Sequence, residues 1–240
     1  MLKLFGSEAQ AYLKLGLMSP AKRRVRQSPR GQARLGVLFV PGVGANGSQF
    51  LGLKQELEPY ADWFGAFEYF SLRHPTRVAI ALEAHIRQVA EQTEDLVVIG
   101  HSLGGLLLRM VLQSEAPPPP NIRGYVSICA PLHGTWRSKL ALSPGLRALA
   151  PDSTLMSDVL SQAHRLEQRL DGRILAIGAR VDQMIHPANS AFLEGQERLE
   201  ITEAAHAGSL FDPMVFEAVA SAVDRWTRRA PDELRRPESE

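Results

Sequence analysis

Runs of consecutive apolar residues recur along the chain from Leu35 onward, and most of them close at a glycine or a proline. Runs without polar alternation are typical of strands that are buried on both faces of a parallel sheet. The sequence therefore predicts six strands, the last weaker than the others, over residues 36–40, 63–70, 96–99, 124–128, 173–177 and 199–201.

Segments with a helical spacing of apolar residues lie between these runs. Residues 78–92 place Val78, Leu82, Ile86 and Val89 along one stripe. The other predicted helices cover residues 50–60, 103–113 and 215–227. Because strand and helix alternate, the predicted fold class is α/β, a doubly wound and mainly parallel sheet of about six strands with helices on both faces.

One interval interrupts the alternation. About forty residues between Pro131 and Asp171 contain no apolar run typical of a strand, but residues 155–170 have the apolar spacing of a helix. An insertion of that size in a compact domain is usually functional, so we expect a helical cap over about residues 132–171. The predicted layout is a basic arm or linker over 1–34, one domain over 35–229 and a disordered tail over 230–240.

Composition and charge narrow the class of protein. Hydrophobic residues make up 45% of the 240 positions and charged residues 22%, as in one soluble domain and unlike a disordered, collagen-like or coiled-coil chain. Residues 1–34 carry eight basic residues against the single acid Glu8, whereas the remainder holds 19 basic and 25 acidic residues. That distribution does not indicate a nucleic-acid-binding domain. The lone cysteine, Cys129, excludes an intrachain disulfide.

The sequence also gives an expected location. No apolar run reaches 18 residues, which predicts no transmembrane helix, and the first 18 residues mix charged side chains into their apolar positions, unlike a signal peptide. We therefore expect a cytoplasmic protein. The basic arm is expected to be a solvated lead-in, and it leaves open a peripheral contact with anionic membrane lipids.

The segment that carries candidate chemistry is Gly100-x-Ser102-x-Gly104. A buried strand ends just before Gly100 and an apolar helix begins just after Ser102, which is the setting that a nucleophile elbow requires. The turn strains the backbone of the serine, and glycines two residues away on either side avoid collisions with the neighbouring strand and helix. Ser102 is therefore the candidate nucleophile.

A serine hydroxyl needs a base, and the base needs a group that orients it. After an elbow, the acid is expected beyond a later strand and the histidine near the end of the domain. His206 follows the sixth strand and is the candidate base, with His186 as the alternative. Asp182 follows the fifth strand and is the candidate acid, with Glu203 in reserve.

The other histidines are expected to have lesser roles. His133, after the fourth strand, is expected to line the site, and His101, inside the elbow, to point away from it. The remaining ones are expected on the surface or in the cap, at His74, His85 and His164.

An oxyanion hole needs backbone N–H donors. One donor is expected from Leu103, directly after the nucleophile. The glycine-rich loop 41–47 is expected to supply the other from Val43, or next from Gly44. The same loop does not match a phosphate cradle, because it lacks the following Lys-Ser/Thr and the G-x-G-x-x-G spacing.

With strand, elbow, acid and histidine in this order, the chain resembles the α/β-hydrolase superfamily from about Leu35 to Arg229. Gly100-His-Ser-Leu-Gly-Gly105 looks like the elbow of bacterial lipases and related esterases. Val40-Pro-Gly-Val43 looks like their oxyanion loop, with a proline in place of the usual histidine. Cys129-Ala-Pro-Leu-His-Gly-Thr135 is similar to a Thr-Pro-His-x-Gly-Ser/Thr segment of those lipases and of the inositol-deacylase-like group, with a leucine inserted before the histidine. Asp182-Gln-Met-Ile-His-Pro187 resembles their Asp-x-x-Val-x-Pro acid loop.

The resemblance implies a serine hydrolase that cleaves carboxylic, lipid-like acyl esters through an acyl-enzyme, with no redox or metal cofactor and with a small-molecule or lipid ester as its substrate. An acyltransferase or thioesterase with the same triad is the alternative, as is a non-catalytic binding protein of the same fold. The cap is expected either to shape the acyl pocket or to pack against its own core. The candidate substrate-binding residues are Gly44, His133, Leu140 and Met156.

Overall fold

The central feature of the computed structural model is a six-stranded sheet. The structure describes residues 32–228 together with Glu8, Gln10, Ala11 and Leu13. The strands are β1 (Ala33–Val40), β2 (Trp63–Ala66), β3 (Thr93–His101), β4 (Ile122–Ile128), β5 (Ile174–Ala179) and β6 (Glu197–Ile201). All neighbouring strands pair in parallel, in the order β2-β1-β3-β4-β5-β6.

Helices connect the strands and cover both faces of the sheet. They are α1 (Leu51–Leu57), α2 (Pro75–Ala90), α3 (Leu103–Leu112), α4 (Pro144–Arg147), α5 (Thr154–Ser161), α6 (Ala163–Leu170) and α7 (Pro213–Thr227). Short 3-10 turns occupy Gly47–Phe50, Trp136–Leu140, Ala188–Ala191 and Gly208–Phe211. Within the described residues, every helix is too short or too polar to span a bilayer.

The two faces of the sheet bury separate halves of the core. Leu38 and Val98 point to the face that α2, α3 and the cap helices cover. Their neighbours Val37 and Val97 point to the opposite face, under α1 and α7. Because alternate residues of the same strand serve opposite layers, the strands are apolar throughout. The predicted doubly wound α/β fold is confirmed.

Two elements differ from their predicted extents. β2 ends at Ala66, not near residue 70, because its pairing with β1 stops at Phe39 and the chain then leaves the sheet. In the segment that follows, the hydroxyl of Tyr69 donates to the carbonyl of Pro41 over 2.8 Å. The helix-like stretch 155–170 is two helices, α5 and α6, which are separated at Gln162, whose backbone is not helical.

The structure describes the predicted domain and its cap interval but only part of the predicted N-terminal arm. β1 begins at Ala33, two residues before the expected start of the domain. Apart from Glu8, Gln10, Ala11, Leu13 and residues 32–34, the arm lies outside the described residues, as does the tail 230–240. The interval 132–171 contains helices α4 to α6 and no strand.

Candidate active site

Ser102 occupies a strained turn between β3 and α3. Its backbone angles are φ 54° and ψ −125°, a conformation that is uncommon for a residue with a side chain. Its N–H donates to the carbonyl of Ile128, at the end of β4, over 2.8 Å. The turn therefore presents Ser102 at the start of α3, where the helix dipole favours negative charge.

Two glycines make this turn possible. A Cβ atom at Gly104 would lie 2.0 Å from the carbonyl oxygen of Val40, and one at Gly100 would lie 2.4 Å from the backbone nitrogen of Gly105. Neither backbone atom can move away without displacing a strand or the helix. Hence the steric reason inferred from the sequence for the Gly-x-Ser-x-Gly spacing holds in the structure.

Asp182 and His206 form a hydrogen-bonded pair. Asp182 Oδ2 lies 2.9 Å from His206 Nδ1, and the aspartate side chain is only 2% exposed. Its other oxygen, Oδ1, accepts from the backbone N–H groups of Met184 at 2.8 Å and Ile185 at 2.7 Å. The carboxylate is thereby fixed at both oxygens, and within the part of the chain that the structure describes no hydrogen bond engages His206 Nε2.

The same contacts set the ionisation of Asp182. Burial acts to raise the pKa of its carboxyl, but the hydrogen bond and charge of His206, with the two backbone donors, outweigh burial and hold the pKa below its usual range. Asp182 is therefore ionised at neutral pH, as a group that stabilises an imidazolium must be.

Three adjacent strands bring these groups to one edge of the sheet. Ser102 bonds to the end of β4, and the N–H of Cys129, which follows β4, donates to Ile177 of β5 over 2.7 Å. The ring of His101, next to the serine, lies 4.9 Å from the ring of His206. Ser102, which follows β3, and the Asp182–His206 pair, which follows β5 and β6, thus lie at the carboxyl ends of the strands.

The expectation for His101 is not met. Its Nε2 lies 3.1 Å from the backbone carbonyl oxygen of His206, so the ring supports the candidate base instead of turning away. Burial, and then the neighbouring charge of His206, lowers the pKa of His101 to about 3. The ring is therefore neutral at physiological pH, and it donates from Nε2. Ser209 Oγ donates to the same carbonyl over 2.7 Å.

The low pKa of His101 predicts acid sensitivity of the fold. The folded state holds this ring neutral down to about pH 3, whereas an unfolded histidine titrates near 6.5. Between these values the unfolded state binds more protons, so the free energy of unfolding is expected to fall as the pH falls from about 6.5. His101→Gln can still donate to the carbonyl of His206 but does not titrate. Urea unfolding at several pH values should show a weaker pH dependence in this variant, and equal slopes would contradict the prediction.

The loop 41–44 lies directly against the serine. A Cβ atom at Gly42 would lie 3.0 Å from the Cβ of Ser102. The N–H of Gly44 donates to Ser71 Oγ over 3.0 Å, so the reserve donor is already engaged. The N–H groups of Val43 and Leu103 have no hydrogen-bond acceptor among the described residues. Of the two donors considered in the loop, Val43 is the one that remains free.

The remaining candidates for base and acid lie on the surface. His186 and Glu203 are exposed. His74 and His164 are also exposed, and His85 is half-buried on α2, against the ring of Phe67.

The four predicted substrate-binding residues are dispersed. Gly44 lies in the loop next to Ser102, and Leu140 is 84% exposed on the cap. Met156 is fully buried in the core under the cap, so it offers no surface to a ligand. His133 lines a cavity of about 1220 Å³ whose wall is formed mainly by α6 and residues 187–198. Ser102 and His206 are not among the residues lining that cavity, so it is separate from the candidate site.

One group of possible metal ligands lies at the candidate site. Among the described residues, Cys129, Asp182 and His206 are the one group of three possible ligands, with their ligand atoms within 4.8 Å of one another. His206 Nδ1, however, is engaged by Asp182. Burial, and then the charge of Asp182, raises the pKa of the Cys129 thiol, so the thiol is protonated at neutral pH. The arrangement is an acid–histidine pair with a protonated thiol beside it.

Sequence reasoning missed one residue near His206. The carboxylate of Glu8 accepts from the backbone N–H groups of Ala207 at 2.6 Å and Gly208 at 2.9 Å. Its only signal in the sequence is that it is the single acid in the basic arm, which does not indicate where it binds.

Comparison with solved structures finds the same fold in proteins of low sequence identity. The mature lipase BlEst2 of Bacillus licheniformis aligns with a TM-score of 0.64 at 12% identity, over 82% of this chain and 94% of the lipase. The metagenomic carboxyl esterase MGS0156 aligns at 0.62 and 16% identity, over 83% and 79%. A structure from work on the metagenome-derived lipolytic enzymes LipS and LipT aligns at 0.57 and 18% identity, over 81% and 95%. At these identities the likeness establishes the fold.

Sequence comparison establishes the family. No curated protein sequence matches the chain significantly. A family model described as the alpha/beta hydrolase family matches residues 37–238, which is most of the chain. The elbow, the parallel sheet and the acid–histidine pair at its edge agree with that match, and we conclude that the chain belongs to the alpha/beta hydrolase family.

Proposed function

We propose that the protein is a serine hydrolase that cleaves carboxylic esters with lipid-like acyl groups, using Ser102, His206 and Asp182. The observation that carries the proposal is the buried, doubly anchored Asp182 bonded to His206 at the sheet edge where the strained Ser102 stands. A general base next to an elbow serine is the arrangement that activates a hydroxyl for attack on carbon.

The reaction proceeds in two halves. Ser102 Oγ attacks the ester carbonyl carbon while His206 Nε2 takes its proton, and a tetrahedral intermediate forms. The bond from carbon to the alcohol oxygen then breaks, and His206 returns the proton to the departing alcohol. In the second half His206 takes a proton from water, the hydroxide attacks the acyl-enzyme, and Ser102 leaves protonated with release of the acid.

Each intermediate places a negative charge on the former carbonyl oxygen. The N–H groups of Val43 and Leu103 are the proposed donors to it. Asp182 stabilises the imidazolium that His206 becomes in each half-reaction, and it holds the proton of the neutral ring on Nδ1, so that Nε2 can act as the base.

An apolar surface beside the site supports a lipid-like acyl group. Leu140 and Leu142 of the cap are 84% and 94% exposed, and Phe70 and Leu72 are exposed as well. Ser143 Oγ donates to the carbonyl of Leu72 over 2.8 Å, which joins the two segments. The segment 69–72 is in turn bonded to the oxyanion loop through Tyr69 and Ser71. Exposed leucines next to a reaction centre favour an apolar substrate.

This surface predicts a dependence on acyl length. The double substitution Leu140→Ser and Leu142→Ser is expected to lower kcat/KM for a dodecanoyl ester by about tenfold, since two apolar contacts with the chain are lost, and to leave an acetyl ester within about twofold. Ile80→Ser, at an exposed position on α2, is the control. An equal loss for both esters, or the same loss in the control, would contradict the prediction.

The experiment that tests the function is labelling with a fluorophosphonate, followed by a panel of nitrophenyl esters of graded chain length. We expect a single adduct on the peptide containing Ser102 and hydrolysis of the esters. Wild-type protein that remains unlabelled and inactive would overturn the proposal. An adduct on Ser102 without ester hydrolysis, but with transfer to a lipid alcohol or cleavage of a thioester, would replace it with an acyltransferase or thioesterase.

A further inference from the structure

The N-terminal segment reaches the candidate base through Glu8. The side chain of Glu8 is 4% exposed, and each of its oxygens accepts one backbone N–H, from Ala207 at 2.6 Å and from Gly208 at 2.9 Å. These two residues follow His206 directly in the chain. A carboxylate that is 199 positions away in sequence thus binds the peptide groups next to the proposed base.

The bonding is specific and close-fitting. A Cβ atom at Gly208 would lie 3.2 Å from Glu8 Oε2, so the carboxylate packs against this backbone without a gap. Ala11, three residues on, is also buried, while Gln10 and Leu13 are exposed. That alternation is typical of a helical segment with one face against the domain. Glu8 therefore lies on the face that contacts the domain.

The two N–H groups need such an acceptor. They stand at the start of the 3-10 turn Gly208–Phe211, where amide groups have no partner within the turn. Ala207 is buried, and Glu8 supplies the acceptor that its N–H meets there. Bonds from amides to a carboxylate are roughly twice as strong as bonds between neutral groups.

Five hydrogen bonds from four residues then fix His206 and the peptide after it. Asp182 holds the ring, His101 and Ser209 hold the carbonyl, and Glu8 holds the next two N–H groups. Removing the Glu8 carboxylate takes away the acceptor of two of these five bonds. A misplacement of a reacting group by about 1 Å costs about 10²-fold in rate.

We propose that Glu8 is a positioning residue for the reaction: its carboxylate holds the loop that carries His206 and so keeps Nε2 in line with Ser102. The inference rests on the proposed function, because Glu8 can affect a reaction rate only if His206 acts as the base. It assigns a part in the reaction to a segment that precedes the residues matched by the family model.

The test compares Glu8→Gln, Glu8→Ala and the control Gln10→Ala, which alters an exposed neighbour. The glutamine keeps one neutral acceptor, so kcat for a short-chain ester is expected to fall about tenfold, and about 10²-fold with alanine, while KM changes less than about twofold. The rate of fluorophosphonate inactivation should fall in parallel. Gln10→Ala should match the wild type, and thermal unfolding should show that every variant is folded at the assay temperature.

A spectroscopic readout separates this inference from the proposed function. The proton on His206 Nδ1, bonded to Asp182, should give a downfield NMR signal that is absent from His206→Gln and is broadened or lost in Glu8→Ala. If wild type hydrolyses no ester, the proposed function fails and the NMR comparison alone decides the role of Glu8. A sharp, unshifted signal in Glu8→Ala, or a kcat within twofold of wild type in both Glu8 variants, would overturn the inference.

Discussion

Replacing Ser102 with alanine is expected to lower kcat/KM for a short-chain nitrophenyl ester by about 10⁴ to 10⁶-fold and to abolish fluorophosphonate labelling. The oxygen that forms the acyl-enzyme is lost, and the oxyanion donors and the bound geometry alone can supply only a small residual rate. Alanine suits the site sterically, because it keeps the Cβ that packs near Gly42. The measurement is steady-state kinetics together with the intact mass after labelling.

The matched control is Ser114→Ala, a serine beyond the far end of α3 whose hydroxyl bonds only to a local carbonyl. It should retain full activity and labelling. If Ser102→Ala kept its activity, or took up the label at another serine, Ser102 would not be the nucleophile. The Asp182–His206 pair would then activate a different residue.

The elbow was predictable because everything that defines it is local in sequence. A buried strand, two glycines around Ser102 and an apolar helix follow one another within about twenty residues, and their steric reasons can be read from the chain alone. Asp182 and His206 were predicted from the chain order expected after an elbow, with an acid beyond a later strand and a histidine near the end of the domain. Parallel strands place their carboxyl ends at one edge of a sheet, so residues that follow separate strands can meet there.

The contacts of Glu8 and His101 were not predictable in this way. Glu8 lies in a segment whose basic composition indicates a solvated arm, and its partners are backbone N–H groups, which leave no mark in the pattern of side chains. His101 is fixed by the carbonyl of His206, another backbone group. Bonds to the backbone over long sequence separations depend on the folded loop geometry, and no residue type encodes them.

The cap shows a second limit. Its leucines and Met156 are equally apolar in the sequence, but Met156 is fully buried and Leu142 is 94% exposed. Helical spacing indicates which residues share a face of a helix, and it does not say whether that face meets the core or the solvent. Met156 lies on the buried face of α5, whereas Leu142 lies in an irregular segment whose next residues, Ser143 and Gly145, contact residues 72–74.

The substitution Asp182→Asn is expected to lower kcat by about 10³ to 10⁴-fold with little change in KM or in the fold. The reason lies in the two backbone donors, Met184 and Ile185, that point at Asp182 Oδ1. In the variant only the amide oxygen can accept from them, so the amide NH₂ must face His206 Nδ1. That nitrogen then becomes an acceptor, the ring proton moves to Nε2, and the base can no longer take a proton from Ser102.

Steady-state kinetics and the downfield NMR signal of the His206 Nδ1 proton together test this argument. The signal should vanish in Asp182→Asn, while the thermal unfolding temperature should stay close to that of the wild type. Asp171→Asn removes a carboxylate after α6, where a left-handed backbone suits asparagine, and should change neither readout. Asp182→Ala separates the two contributions of the carboxylate. It removes the partner of the imidazolium but does not impose the wrong tautomer, so its activity should be higher than that of Asp182→Asn. If its activity were no higher, the loss would come from the missing charge, and the tautomer argument would fail.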